Sequence, residues 1–183
     1  METALLIIDI QNEYFAGGAN PLVGADKAAA NASKMIDFFR AKNLPVIFIQ
    51  HFATNPNAKF FVPGTQGAEF EYGVRPRVGE KIIPKHFPNA FRETPLHEYL
   101  QAMGIKHLVV CGMMTHMCVD STVRAAKDLG YECKVIGDAC ATCDLAHWGK
   151  YVNAKDIHNS FLAALAYYYA GVVKTSEYIA KNS

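Results

Sequence analysis

The sequence predicts an α/β protein whose parallel sheet is covered by helices on both faces. Apolar runs of strand length alternate along the chain with segments of helical periodicity, which is typical of strands joined by crossover helices. The strand-like runs are almost continuously apolar, as in residues 4–8 (ALLII) and 108–111 (LVVC). Such continuous runs indicate strands that are buried on both sides.

Six segments are predicted to be strands because they are apolar, short and bounded by polar or turn residues. In chain order they are residues 4–10, 45–52, 81–84, 107–112, 132–137 and 172–173. The last is only a pair of valines that follows a helical segment.

Five segments have helical periodicity: residues 25–42, 95–103, 118–129, 154–170 and 176–181. Gly104 and Gly130 follow the second and third of them, where glycine commonly ends a helix. Asp156 lies near the start of the fourth, where an acidic side chain favours the helix dipole.

Residues 53–79 show little periodicity and contain several prolines and glycines. Long irregular loops in compact domains are often functional lids, so we predict a lid here. Its aromatic residues either wall a pocket or anchor the loop to the core; they are Phe60, Phe61, Phe70 and Tyr72.

Length and composition favour one domain, residues 1–183, and exclude several classes of partner. A chain of 183 residues can bury a core of its own. The formal net charge is +1 and no basic stripe is interleaved with aromatics, so we expect neither nucleic acid nor a membrane surface as a partner. Hydrophobic content of 51% against 19% charged residues leaves apolar surface for another subunit.

We expect a cytoplasmic location. Asp9 interrupts the first apolar run too early for a signal peptide, and the apolar stretch 161–173 is too short to span a bilayer. The five cysteines, an odd number, suit a reducing compartment better than a disulfide framework.

Reactive side chains lie at the carboxyl ends of three predicted strands. Asp9 closes the first, Lys85 follows the third, and Cys118 lies where the fourth strand gives way to a helix. In an open parallel sheet, this edge is where ligands bind.

Together these three residues predict nucleophilic catalysis. A cysteine at a helix N-terminus can have its pKa lowered from ~8.5 to ~3.5–7.5, so we expect Cys118 to be an activated thiol. Asp9 is the candidate base, and Lys85 would orient it and balance its charge. Each residue taken alone also fits a structural role, as a capping Asp, a solvated Lys or an inert buried Cys.

Several spaced motifs give the chain a specific resemblance. They are residues 9–12 (DIQN), Lys85 with 90–91 (AF) and 94–96 (TPL), the pattern Gly112-x-x-Thr115-x-x-Cys118-Val119, and 138–139 (DA), with 64–69 (GTQGAE) in the loop. In this order they resemble the isochorismatase-like cysteine hydrolases, from residue 4 to about residue 173. The resemblance implies a Rossmann-like three-layer α/β/α sandwich with a six-stranded parallel sheet, assembled as a homodimer or homotetramer.

The resemblance also implies roles for individual residues. Asp9, Lys85 and Cys118 would form the catalytic triad, with no cofactor. A cis peptide between Met113 and Met114 would turn the N–H groups of Met114 and Cys118 toward one point, as an oxyanion hole. The implied reaction is hydrolysis of a C–N bond in a small amide, lactam or ureido compound through a thioester.

Five residues are candidates for substrate binding: Phe15, Gln11, His51, Phe87 and His116. The two phenylalanines would stack on a substrate or pack in the core. Gln11 would face the pocket or brace the active-site loop, and His116 would face the pocket or pack against a neighbouring loop.

No metal site is expected. Metal-dependent nicotinamidases of this family carry an Asp-x-His cluster after the second strand, whereas this chain has residues 49–52 (IQHF). His51 alone is insufficient, because zinc or iron requires about three protein ligands. Cys140 and Cys143 have a zinc-like spacing but lack a second pair.

Two other functions remain open. Vinyl-ether hydrolysis of the isochorismatase type needs acid catalysis by Asp9 and no thiol. A non-catalytic binding protein could also retain this fold.

Overall fold

The computed structural model describes residues 2–183, and its centre is a six-stranded sheet. The strands are β1 (Thr3–Ile8), β2 (Val46–His51), β3 (Lys81–Lys85), β4 (His107–Met113), β5 (Glu132–Ala141) and β8 (Ala170–Val173). All neighbours are parallel, in the order β3-β2-β1-β4-β5-β8. This arrangement confirms the predicted sheet. The strand order is that of a doubly wound α/β fold, in which the direction of winding reverses between β1 and β4.

Helices cover both faces of the sheet, which makes three layers. They are α1 (Ala25–Ala41), α2 (Leu96–Ala102), α3 (Asp120–Asp128), α4 (Ala154–Tyr168) and α5 (Thr175–Asn182). Buried residues of α1 and α5 pack on one face, and those of α2, α3 and α4 on the other. Within residues 2–183, no helix has both the length and the apolar character that crossing a membrane requires.

The core explains why β1 is continuously apolar. Leu5 and Ile7 point into the layer of α1, while Leu6 and Ile8 point into the layer of α2 and α3. All four side chains are fully buried. Burial of each such side chain stabilises the fold by roughly 1.5–3 kcal/mol before the cost in chain entropy.

Three local features differ from the prediction. β5 continues to Ala141 because its pairing with β4 is irregular: Val110 pairs with Val135, but Gly112 pairs with Cys140. A short antiparallel hairpin, β6 (Leu145–His147) and β7 (Lys150–Val152), was not predicted, because its few residues are all exposed and leave no burial pattern. Helix α3 begins at Asp120, so Cys118 lies in a separate turn before it.

The segment 53–79 lies over the α1 face and contains two short 3₁₀ turns, Gln66–Ala68 and Tyr72–Val74. Phe61 and Phe70 are buried and anchor it to the core. Phe60 and Tyr72 are 47% and 80% exposed, so neither ring belongs to the core, and the Phe60 ring meets the Phe61 ring edge-on.

Candidate active site

The carboxyl edge of the sheet brings Asp9, Lys85 and Cys118 into contact. The Lys85 ammonium lies 2.7 Å from Oδ2 of Asp9 and 3.3 Å from Sγ of Cys118. Asp9 directly follows β1, and Cys118 follows β4, the strand beside it. The cluster therefore sits where the winding of the sheet reverses, which is the usual place for a ligand in this architecture.

Asp9 is held by the main chain at the end of β1. Its φ is 51°, in the left-handed region that Asp tolerates better than most residues. Its N–H donates to the Ile49 carbonyl at 3.1 Å, and its carbonyl accepts from Gln11 N–H at 3.0 Å. The Lys85 ammonium, 2.7 Å from Oδ2, is the charged partner that holds this fully buried carboxylate.

Lys85 is fully buried and its ammonium has four polar neighbours. Besides Asp9 and Cys118, these are Nδ1 of His51 at 2.9 Å and the carbonyl of Phe87 at 3.0 Å. Lys85 on β3 pairs in register with His51 on β2. The long lysine side chain therefore crosses β2 to reach Asp9, which a shorter cation could not do.

Cys118 lies in a wide turn, Thr115–Val119, that joins β4 to α3. The N–H of Val119 donates to the Met114 carbonyl at 3.2 Å, a spacing of five residues characteristic of a π-type turn. The first amides of a helical segment lack partners within it, so they give the region a positive potential. The Met113–Met114 peptide just before the turn is cis.

Burial controls protonation in this cluster. It raises the pKa of the Cys118 thiol, as does the negative charge of Asp9, and the Lys85 ammonium offsets this only in part. The expected lowering of the thiol pKa was therefore wrong, because desolvation outweighs the helix N-terminus. Burial also raises the pKa of Asp9 against the effect of Lys85. For Lys85, burial opposes the charged form, but Asp9 and Cys118 raise its pKa overall.

His51 is a neutral imidazole. Burial and the adjacent Lys85 ammonium lower its pKa to about 3. Since Nδ1 accepts from Lys85, the ring proton resides on Nε2.

Potential metal-ligand atoms of Asp9, His51 and Cys118 all lie within 4.8 Å of one another. The Lys85 ammonium contacts all three groups and already supplies the positive charge at their centre. A divalent cation in the same place would meet this ammonium at close range, so the residues present do not fit a metal site.

Two candidate substrate residues lie beside Asp9 on the chain. Gln11 is fully buried; its Nε2 donates to the carbonyls of His51 and Ala68 at 3.0 and 2.7 Å, and its Oε1 accepts from His51 N–H at 2.8 Å. Because main-chain groups occupy both polar atoms of this side chain, Gln11 braces the surrounding backbone and does not face a substrate. Phe15 is half-buried and packs against the α1-side core.

Besides His51, two further candidates flank Lys85 and Cys118. Phe87 is half-buried, and the Arg92 guanidinium lies 3.7 Å from the centre of its ring. His116 Nδ1 lies 2.5 Å from Thr142 Oγ1, and its ring meets Phe161 edge-on. The geometry of His116 thus corresponds to packing against neighbouring elements.

Tyr14 is a residue of this region that the motif pattern did not single out. It is buried, its ring meets Phe61 edge-on at 5.1 Å, and Phe61 in turn contacts the His51 ring at 5.1 Å. Burial raises the pKa of its hydroxyl, as does the negative charge of Asp9. The sequence gives one signal for Tyr14, its position five residues after Asp9. The adjacent Phe15 has nearly the same position, so this signal does not distinguish the two residues.

Comparison with known proteins is consistent with this geometry. The isochorismatase domain matches residues 3–177. An uncharacterized isochorismatase family protein of Bacillus subtilis is 50% identical over 177 residues, 97% of this chain and 98% of that protein. The crystal structure of an isochorismatase from Pseudomonas putida is 40% identical with a TM-score of 0.91, covering 96% of this chain and 89% of that one.

More distant relatives have names that state an activity. The N-carbamoylsarcosine amidase of Thermoplasma acidophilum is 26% identical with a TM-score of 0.80, covering 96% of this chain and 97% of that one. Nicotinamidase 3 of Arabidopsis thaliana is 29% identical over 182 residues, 93% of this chain and 83% of that protein. The domain match and the 50% identity confirm the resemblance drawn from the motifs, and the chain belongs to the isochorismatase-like hydrolase family.

Proposed function

We propose that this protein is a cysteine-dependent hydrolase that cleaves a C–N bond of a small molecule through a thioester. The observation that carries the proposal is the contact of the Lys85 ammonium with both Cys118 and Asp9 in one buried cluster. A nucleophile, a carboxylate base and a balancing cation are the parts that thiol catalysis requires. The nicotinamidase and carbamoylsarcosine amidase relatives support an amide or ureido substrate.

The first half of the reaction begins with proton transfer from Cys118 to Asp9. The raised pKa of Asp9 makes it a stronger base than an exposed carboxylate. The thiolate then attacks the substrate carbonyl carbon, and a tetrahedral oxyanion forms. The Asp9 proton moves to the leaving nitrogen as the C–N bond breaks, which leaves an acyl thioester on Cys118.

The second half consumes one water. Asp9, again a carboxylate, takes a proton from this water as it attacks the thioester, and the proton returns to Sγ as the acid departs. We assign the oxyanion hole to the N–H groups of Met114 and Cys118, at either end of the turn. Each such donor lowers the barrier by about 2.7–4 kcal/mol.

His51 and Phe15 are our candidates for contacting the substrate, together with Phe87. His51 holds the Lys85 ammonium through Nδ1, which leaves its Nε2–H as a neutral donor beside the cluster. Gln11 and His116 are assigned to support of the surrounding loops instead, because main-chain groups occupy both polar atoms of Gln11, and His116 contacts Thr142 through Nδ1 and Phe161 through its ring.

One alternative is the isochorismatase-type reaction, in which a vinyl ether is hydrolysed. That reaction needs a proton from Asp9 but no covalent bond to Cys118. The alternative is therefore distinguished by a Cys118 variant.

The proposal is tested by a screen for ammonia or amine formation over primary amides, carbamoyl compounds and lactams. With a substrate found, Cys118→Ala is expected to lower kcat by about 10⁴-fold or more, because the nucleophile is gone. Cys133→Ala is the matched control, since Cys133 is also a buried cysteine but lies at the amino end of β5, away from the candidate site at the carboxyl edge of the sheet.

Circular dichroism should show the same fold in both variants. Full activity of Cys118→Ala would contradict the thioester route. Retained cleavage of isochorismate by Cys118→Ala would establish the vinyl-ether alternative, and a complete absence of turnover across the screen would favour a binding protein.

A further inference from the structure

Helix α4 contacts the turn that carries Cys118 through two side chains one helical turn apart. Nδ1 of His158 lies 2.8 Å from Oγ1 of Thr115, the first residue of the turn. The ring of Phe161 meets the ring of His116, the second residue, with centroids 5.9 Å apart. His158 has no part in the reaction proposed above.

We propose that His158 is a positioning residue that aligns Cys118 through the hydroxyl of Thr115. The proposal rests on the role of Cys118 as the nucleophile. It adds a residue 40 positions further along the chain to the machinery that orients the thiol.

The Thr115 hydroxyl links three elements. It is fully buried, lies 3.2 Å from the Ala141 carbonyl at the end of β5, and pairs with His158 on α4. The hydroxyl has one proton, which it can donate either to Nδ1 of His158 or to the Ala141 carbonyl. If Nδ1 of His158 carries a proton, the ring instead donates to Oγ1, and the hydroxyl proton is free for Ala141. The pairing with His158 therefore decides whether the hydroxyl also bonds to β5.

Two hydrogen bonds of the turn share a single acceptor. The Met114 carbonyl accepts both from Met117 N–H at 3.1 Å and from Val119 N–H at 3.2 Å, so one acceptor holds two bonds of the turn. Such wide turns lack the regular ladder of an α-helix, and their geometry depends on what packs around them. His158 and Thr115 supply a lateral hydrogen bond that restrains the turn.

The position of Thr115 matters because the proposed reacting groups lie on both sides of it. Met114 precedes it directly, and Cys118 follows three residues later. A shift of Thr115 would move both proposed oxyanion donors and Sγ relative to Asp9. A misplacement of about 1 Å can lower a rate by about a hundredfold.

Substitution at position 158 is sterically tolerable. His158 lines a cavity of about 360 Å³ together with Lys27 and Lys155 from the first turns of α1 and α4. A side chain of different shape therefore has room, and overpacking does not confound the result.

The test uses p-nitrophenyl acetate, which requires the nucleophile and the oxyanion hole but no C–N cleavage. Cys118 Sγ takes the acetyl group, its proton passes to Asp9, and p-nitrophenolate leaves. Release by Cys118→Ala is subtracted as the background. The variants are His158→Leu, His158→Asn, Thr115→Val and the double variant of His158→Leu with Thr115→Val, with the exposed neighbour Asn159→Leu as the control.

We expect His158→Leu and Thr115→Val each to slow acylation at saturating ester by about 10- to 100-fold, with little change in half-saturation. The double variant should be no slower than the slower single variant, because both substitutions remove one interaction. His158→Asn should keep most of the rate, since its amide lies near the position of Nδ1 and pairs with the hydroxyl. Asn159→Leu should match the wild type.

Three results would overturn the positioning role: a wild-type rate in His158→Leu, a rate in His158→Asn as slow as in His158→Leu, or multiplied losses in the double variant. Equal release by the wild type and Cys118→Ala would instead refute the nucleophile itself, and the positioning role with it. Acylation without any amide turnover would leave the positioning result valid and count against the proposed substrate class.

Discussion

At the residue scale, burial rather than the helix N-terminus decides the resting protonation of the cluster. Cys118 is 6% exposed and Asp9 is fully buried, and both have a pKa above the ordinary value. With Cys118 as a thiol, the carboxylate of Asp9 and the ammonium of Lys85 cancel. With Cys118 as a thiolate, the buried cluster would carry a net negative charge. In the proposed reaction the thiol therefore stays protonated until Asp9 removes the proton.

The pH dependence of catalysis follows from these directions. Asp9 must be ionised to act as a base, and its pKa lies above 3.8, so activity is lost as the pH falls through that raised value. His51, with a pKa of about 3, stays neutral over the same range. We expect His51→Gln to lower kcat/KM but to leave the midpoint of the acid limb unchanged.

The measurement is a profile of kcat/KM against pH for the wild type and His51→Gln, with the substrate from the screen. Disappearance of the acid limb in the variant would assign it to His51 rather than to Asp9.

At the scale of elements, the side chain of Gln11 joins β1, β2 and the segment 53–79. Its amide spans the main chain of His51 at the end of β2 and the carbonyl of Ala68 in the segment 53–79. Gln50 donates to the same Ala68 carbonyl at 2.9 Å. The ends of β1 and β2, which carry Asp9 and His51, are thus fixed relative to each other and to the segment 53–79.

Removal of this amide should destabilise the fold. Gln11→Met keeps the size of the side chain but leaves buried main-chain groups of His51 without their partner, so the free energy of unfolding should fall by about 1–3 kcal/mol. Gln101→Met, at an exposed position of α2, should change it by less than about 0.5 kcal/mol. Urea denaturation of both variants measures the difference, and equal midpoints would show that Gln11 does not brace these elements.

At the scale of the whole molecule, the order of the strands places the candidate site, and association with further copies of the chain is a prediction. The β6–β7 hairpin and the end of α4 expose large aromatic side chains: Trp148 (91%), Tyr151 (68%), Tyr167 (92%) and Tyr168 (68%). Aromatic side chains are enriched in protein–protein interfaces, so these rings are candidates for contact with a second copy. The homodimer or homotetramer implied by the family resemblance stays a prediction, as does the cytoplasmic location, with which the five free cysteines are consistent.

Light scattering coupled to size-exclusion chromatography tests the association. The chain has a mass of 20.2 kDa, and we expect a measured mass of two or four times this value, because another subunit would cover the exposed rings. A mass of 20.2 kDa at micromolar concentration would contradict the prediction.

Local sequence patterns determined the α/β class, the parallel sheet and the meeting of Asp9, Lys85 and Cys118. This was possible because continuous apolar runs indicate strands with two covered faces, and the carboxyl ends of parallel strands meet at one edge. Only the tertiary structure decided the pKa direction of Cys118, the bracing position of Gln11, the nearness of Tyr14, and the contact of His158 with Thr115. Each of these depends on how much water is excluded and on which distant side chains converge, and no local spacing encodes either quantity.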